Sequence, residues 1–222
     1  MKLKKLIVAF SAAFFAIGLM VAQSSNVQAA KSKYKTSTEV RAVKYGKKTA
    51  MIKYKKIVIK GKSKKAKKIN KKLNSIAKAH YNGLKDGAKY VLPSEGIDGS
   101  MNMKVTTNNK KYICVKVIDY SYIGGAHGYT SEIGYTFNSK GKLLKLNKVF
   151  KKSQSYVTKK LLKAFAKWKK SGHTAYEDSE KLIKKSKTKD LDYYIQGKKI
   201  YVCFQPYAVA PYSEGIVKLR LK

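Results

Sequence analysis

The hydrophobic positions of the chain alternate between a two-residue period and a helical one, and each switch marks an element. Ile52, Tyr54, Ile57, Val58 and Ile59 give Thr49 to Lys60 the β-branched, alternating character of a strand or hairpin. From Ser63 the period becomes helical. Ala66, Ile69, Leu73, Ile76, Ala77 and His80 fall on one face, lysines lie on the other, Ser63 reads as the N-cap and Gly83 as the stop. Asp86 to Ser100 holds Pro93 and a run of nearby glycines and reads as a loop. Met101, Met103, Val105 and Thr107 then share one face of a strand that turns at Asn108-Asn109. Tyr112 to Tyr122 is apolar on both faces, which places it inside a sheet. A glycine-rich corner, Ile123 to Gly128, leads to a strand on which Tyr129, Ile133, Tyr135 and Phe137 face one way, and Asn138 to Gly141 turns the chain into Leu143 to Leu146. A second helix starts at Ser153 or Ser155, buries Val157, Leu161, Leu162, Phe165 and Trp168, and ends at Gly172. Glu177 to Lys185 reads as a short third helix, Tyr193 to Gln205 as a hairpin about Gly197, and Ile216 to Leu221 as a closing strand. This order predicts an α+β fold: a mainly antiparallel sheet with two main helices packed on one face.

The first residues follow another pattern. A basic start, Met1 to Lys5, precedes an apolar run from Leu6 to Ala22, and Val27-Gln28-Ala29 sets small residues at a cleavage site. Residues 1–29 are therefore expected to be an export signal cut after Ala29. The alternative is retention as an anchor, although the run falls short of the about 20 apolar residues a spanning helix needs. With cleavage, no transmembrane segment is expected. Residues 30–48, rich in Lys, Ser and Thr, are expected to form a basic tether, and residues 49–222 a single domain. The protein is expected to be secreted, free or held at the cell wall.

Charge narrows the partner. Forty-eight lysines and two arginines against twelve acids give a net charge of +38, and loss of Lys2, Lys4 and Lys5 with the signal leaves +35. Such a body repels itself and concentrates polyanions. An anionic cell-wall polymer such as teichoic acid is the expected partner, with an extracellular protein as the alternative. Nucleic acid is not expected: the chain reads as exported, and Lys lacks the bidentate fork of Arg. Cys114 and Cys203 are too few for a disulfide framework. Each lies in a strand-like run, and either two buried thiols or one bridge fits.

Candidate chemistry is sparse. Three histidines and two cysteines show no metal-ligand spacing, and there is no HExxH, paired CxxC or phosphate-cradling loop. No metal or cofactor is expected. Glu177, Asp178 and Glu180 sit where carboxylates favour a helix start. His80 closes an apolar stripe and reads as a packed core-edge histidine. Trp168 reads as core. His127 lies in the glycine-rich corner with Ser121, Tyr122 and Tyr129 near it in sequence, which makes it the one candidate acid or base, as in a wall-polymer hydrolase. The same glycines equally serve a tight corner, and no second member of a catalytic pair is visible. No catalytic residue is assigned, and the expectation is a non-enzymatic protein.

Two motifs carry a resemblance. One is Tyr120-Ser-Tyr-Ile-Gly-Gly-Ala-His-Gly128, followed by a strand, a Gly141 turn and Leu146-Asn-Lys-Val-Phe150; the other is Phe204-Gln-Pro-Tyr-Ala-Val-Ala-Pro-Tyr-Ser-Glu-Gly215. Together with Ile57 to Leu73, they resemble the extracytoplasmic domain shared by RsiV-type anti-sigma factors and the N-terminal region of the peptidoglycan deacetylase PdaC. The resemblance covers about residues 45–222 and implies an α+β extracellular binding or sensing module. It maps the shared corner to Gly124, Gly125, Ala126 and His127, and the C-terminal turn to Pro206, Tyr207, Pro211, Tyr212 and Gly215. The candidate ligand-binding residues are Gly124, Gly125, His127, Tyr129, Tyr207 and Tyr212. The cytoplasmic and spanning parts of the anti-sigma factor and the hydrolase domain of the deacetylase are not seen, so neither sigma-factor inhibition nor deacetylation is implied. The anti-sigma domain recognises lysozyme, which is basic; a partner at +35 is expected to repel it, which leaves the sensor or inhibitor of a wall hydrolase as the alternative function.

Overall fold

A computed structural model describes residues 33–222 apart from Pro93. The expected export signal and the first residues of the expected tether lie outside the described residues. The described chain begins in a long hairpin. β1 (Tyr34–Tyr45) pairs antiparallel along its whole length with β2 (Lys48–Ile59). Most of the stretch expected as a tether is thus an edge strand. Its alternation is masked because Ser37, Glu39 and Arg41 take its partly buried positions while Val40 and Ala42 are exposed, and only Val43 is fully buried.

After β2 the chain enters α1 (Lys64–Gly87), capped by Ser63, whose Oγ accepts from Ala66 N at 3.1 Å. Gly83 does not stop this helix; it continues one further turn, so that Leu84 is also buried. A single 3-10 turn, Ala88–Tyr90, follows, and β3 (Ile97–Asn108) starts inside the expected loop. β3 pairs in parallel with β2 through Tyr54 and Met101. A parallel pair requires a crossover, and α1 supplies it while covering the sheet it connects. β4 (Tyr112–Ile123), β5 (Tyr129–Asn138) and β6 (Leu143–Leu144) complete a six-stranded, mostly antiparallel sheet in the order β1-β2-β3-β4-β5-β6. The side chain of Asn70 on α1 bonds both backbone groups of Ile59, at 2.8 and 2.9 Å, and so satisfies the end of β2.

The rest of the chain builds a second layer. α2 (Leu146–Val149) is one turn; α3 (Gln154–Lys170) is capped by Ser153; α4 (Ser179–Lys185) is short, and Asp178 at its start makes no side-chain cap. β7 (Asp192–Gln196), β8 (Lys199–Phe204) and β9 (Val217–Arg220) form a separate antiparallel sheet. The fold is α+β, as expected. The strands, however, divide between two sheets, and each long helix serves its own core. α1 packs on Ile52, Tyr54, Met101, Met103, Val115 and Phe137. α3, through Val157, Leu161 and Phe165, packs with Val202, Val217 and Leu219. Each such fully buried side chain contributes about 1.5–3 kcal/mol.

The two sheets meet back to back at β7. The free backbone of Ile195 finds its partners on the first sheet: its N–H donates to Cys114 Sγ at 3.3 Å and its carbonyl accepts from Thr107 Oγ1 at 2.9 Å. Thr107 reaches it because β3 bulges between Val105 and Thr107. The extra residue turns Thr107 away from the face it was expected to share with Met101, Met103 and Val105. β7 also passes so close to β5 that only a glycine fits at position 134. A Cβ there would overlap the Tyr193 carbonyl oxygen and lie 2.6 Å from Tyr194 Cα. Cys114 and Cys203 are both buried and both free; the bridge alternative is not realised. Among the described residues no helix is long and apolar enough to cross a membrane.

Candidate functional site

The glycine-rich corner between β4 and β5 is built on a carboxylate. Gly124 and Gly125 have φ of 87° and 83°, the left-handed region that side chains with a Cβ resist. The Glu95 side chain occupies the space a Cβ on Gly124 would need, and its Oε1 accepts from Gly125 N at 2.8 Å. Tyr122 donates its hydroxyl to Gly125 O at 2.9 Å. The corner projects His127 outward.

The second motif arrives from the other sheet. Gln205, at the end of β8, uses its side-chain amide to bond both backbone groups of Glu132 on β5, each at 3.1 Å. Ser179 Oγ donates to Val209 O at 2.6 Å, holding the turn down while Val209 and Ala210 are buried. At the far end Glu214 accepts from Thr174 N at 2.8 Å and contacts His173 Nδ1 at 2.7 Å. The Thr174 N–H, and then His173, hold the Glu214 carboxyl below its ordinary range. Between these anchors Tyr207 takes φ 67°, the one positive φ outside glycine among the described residues, and stands half exposed.

The two motifs meet at His127. Its Nδ1 lies 3.0 Å from the Gly128 carbonyl, which fixes that nitrogen as the donor; Nε2 then accepts from the Tyr207 hydroxyl at 2.9 Å. The ring of Tyr212 stacks on the imidazole at 3.8 Å, and its hydroxyl donates to Gly128 O at 2.6 Å. The structure thus brings Gly124, Gly125, His127, Tyr207 and Tyr212 into one surface cluster. Tyr129 stays apart: it pairs with Ser121 across the hairpin, and its ring stacks on neither tyrosine. Burial pushes the Tyr129 hydroxyl up, and Asp119 and Asp192 push in the same direction. No carboxylate contacts His127, so the cluster lacks the oriented base of a nucleophilic triad.

His80 sits where expected, at the edge of the α1 core, but with more partners than packing requires. Its Nε2 lies 3.0 Å from the Tyr120 carbonyl and 3.0 Å from Ser121 Oγ, and its Nδ1 lies 3.1 Å from the Tyr54 hydroxyl. A carbonyl can only accept, so Nε2 is a donor there and is not a base for Ser121. Burial raises the Tyr54 hydroxyl to about 12 and the Cys203 thiol to about 12, which keeps both protonated. Among the described residues no group of three or more His, Cys, Asp or Glu could hold a metal ion. Sequence reasoning missed Glu95, Gln205 and Glu214, because each acts on a backbone group at least 30 residues away. Trp168 is half-buried on Phe165 and stacked on His173 at 4.6 Å.

The fold and this cluster define an α+β domain in which a glycine corner and an aromatic turn close on one histidine. Two family models match the chain. One, described as "Protein of unknown function (DUF3298)", matches residues 143–222; the other, described as "Deacetylase PdaC", matches residues 43–130. They bear out the resemblance read from the sequence, the first covering the aromatic turn and the second the glycine corner. A DUF3298-family protein of Bacteroides fragilis shares the fold at TM-score 0.59 and 15% identity, over 84% of this chain and 88% of that one. A DUF3298-family protein of Pseudomonas aeruginosa does so at TM-score 0.50 and 15% identity, over 85% and 88%. No curated protein matches the chain. The first of these families is described only as of unknown function and is not known to be catalytic in itself, and the second carries the name of a deacetylase, so the two matches assign no activity.

Proposed function

We propose that the protein is an exported, non-catalytic binding module, retained in the cell envelope by attraction between its lysine-rich surface and anionic wall polymers such as teichoic acid. One observation carries this reading: a net charge of +38, or +35 without the expected signal. A folded body at that charge gathers phosphate polymers by counterion release, with steep salt dependence. The cluster of His127, Tyr207 and Tyr212 is the face that selects. Its support is Tyr207, a half-exposed tyrosine held in a sparsely populated backbone conformation, which costs about 1–3 kcal/mol and persists where the surroundings enforce it. The hydrogen bonds of His127 support binding over catalysis, because both nitrogens are already committed to Gly128 and Tyr207.

Salt extraction tests retention. Rising salt is expected to release the protein from whole cells, and purified protein is expected to bind intact walls and lose most of that binding on walls stripped of teichoic acid. Retention indifferent to both salt and stripping would remove the proposal. The sensor reading is separated by pull-down with basic and acidic lysozymes, and the hydrolase reading by His127→Gln, which would abolish a wall-degrading activity while leaving the fold.

A further inference from the structure

Beneath the second half of α1 lies a cavity of about 340 Å3, and its lining runs against the rest of the molecule. Ile76, Met101, Val117, Ile133 and the ring of Tyr135 make it apolar. The one carboxylate in the lining is Asp119, which the sheet register sets opposite Met101 on β3 and Ser131 on β5. Asp119 accepts a hydrogen bond from the Ser131 hydroxyl and enters none of the ion pairs among the described residues. His80 also lines the cavity, with both ring nitrogens engaged by Tyr54 and the Tyr120–Ser121 segment. The outer edge is formed by exposed residues of α1, including Ala79 and Lys72, whose Nζ stands 5.9 Å from the centre of the Tyr135 ring.

In a chain with 50 basic residues and 12 acids, lysine partners for a carboxylate are abundant. A carboxylate that lines an apolar cavity instead of entering an ion pair among the described residues is a recognition element for a positive group. The charge of the whole molecule then limits the ligand. A simple cation would have to approach through the field of some forty positive charges, which reaches about 8 Å at physiological ionic strength. A zwitterion carries no net charge and avoids that repulsion. It also orients itself, with the ammonium inward on the acid and the carboxylate outward toward lysine. A volume near 340 Å3 stands at the small end of ligand sites, in the range of about 300–1,000 Å3, and suits an amino acid better than a polymer.

We propose that this cavity binds an apolar α-amino acid as the zwitterion, its ammonium on Asp119, its side chain against Met101, Val117 and Ile133, and its carboxylate toward Lys72. The site is separate from the His127 cluster and does not depend on wall retention.

The test is calorimetric and NMR titration of the full chain with leucine, alongside isoamylamine, which lacks the carboxylate, and 4-methylpentanoate, which lacks the amine. Leucine is expected to bind saturably at millimolar concentration and to shift the amides of Asp119, Ser131 and Tyr135. Isoamylamine is expected to bind about tenfold more weakly at low salt, and 4-methylpentanoate not to bind. Asp119→Asn keeps the volume and an acceptor for Ser131, and is expected to weaken leucine binding about tenfold or more. Ala79→Trp, on the exposed face of α1, is expected to block the cavity with α1 intact, so the test stands even if Asp119→Asn destabilises the fold. No saturable binding of leucine, binding that survives both substitutions, or equal affinity for isoamylamine would each overturn the proposal.

Discussion

His80 and His127 both sit among tyrosines, yet they do different work. His127 lies at the surface and joins two motifs 80 residues apart, through the Tyr207 hydroxyl and the stacked ring of Tyr212. His80 lies half-buried on α1, bonds Tyr54 and Tyr120, and lines the cavity that holds Asp119. The glycine-rich motif drew attention to the first; a regular helical stripe concealed the second. A conspicuous local motif can mark a built corner, while a cavity comes from side chains of separate elements that no local pattern joins.

The largest test of that contrast is Gly134→Ala. The added methyl meets backbone of β7, which no rotamer change relieves, and a loss of at least about 3 kcal/mol is expected in urea unfolding. Hydrogen exchange should show β7 to β9 losing protection, and with them the contact of Tyr207 with His127, while α1 and the His80 side keep theirs. Uniform loss in both halves would mean that the two regions do not behave separately.

His80→Phe ranks next. It leaves the Tyr54 hydroxyl and the Tyr120 carbonyl without a partner in a half-buried setting, and about 2 kcal/mol is expected by thermal or urea unfolding. His127→Phe keeps the stack on Tyr212 and loses the bonds to Gly128 O and the Tyr207 hydroxyl, but the Gly128 carbonyl keeps its bond from Tyr212 and Tyr207 is half exposed, so about 1 kcal/mol or less is expected, with faster amide exchange confined to residues 206–208. If His127→Phe proves the costlier of the two, the assignment of surface and core roles is reversed.

Glu39→Gln is the smallest and has a pH signature. Hydrogen bonds from Arg41, and then Lys56, lower the Glu39 carboxyl from 4.5 to about 2. A depressed carboxyl stabilises the folded state above its ordinary value and loses that contribution as pH falls from 4.5 toward 2. Because the pair is partly exposed, a difference of about 1 kcal/mol or less is expected at neutral pH, vanishing near pH 2. Arg41 also lies over the Tyr54 ring at 5.3 Å, so a larger effect would show that the edge strand helps to hold His80 in place.

Much of the architecture was legible along the chain. Ser63 and Ser153 cap the two long helices where their spacing predicts, and the β4–β5 and β7–β8 hairpins fall within a residue or two of the expected strands. β1 was not legible, because Ser37, Glu39 and Arg41 take the more buried positions of this edge strand while Val40 and Ala42 face outward, which erases the apolar alternation. The last turn of α1 was hidden by Gly83, since a glycine weakens a helix without ending it when Leu84 can still be buried. At the surface cluster, Gly124, Gly125, His127, Tyr207 and Tyr212 were named from sequence; Tyr129 was named too but stands apart from them.

Residue order alone set the helix and strand periods, the basic surface and the resemblance to the domain shared by RsiV-type anti-sigma factors and PdaC, because each depends on neighbours within a few positions or on a simple count. The tertiary structure decided the division into two sheets, the bulge that turns Thr107 toward Ile195, and the meeting of Asp119, Ser131 and His80 around one cavity. Those outcomes depend on strand register and on close approach between distant segments, where a shift of one residue exchanges the faces of a strand.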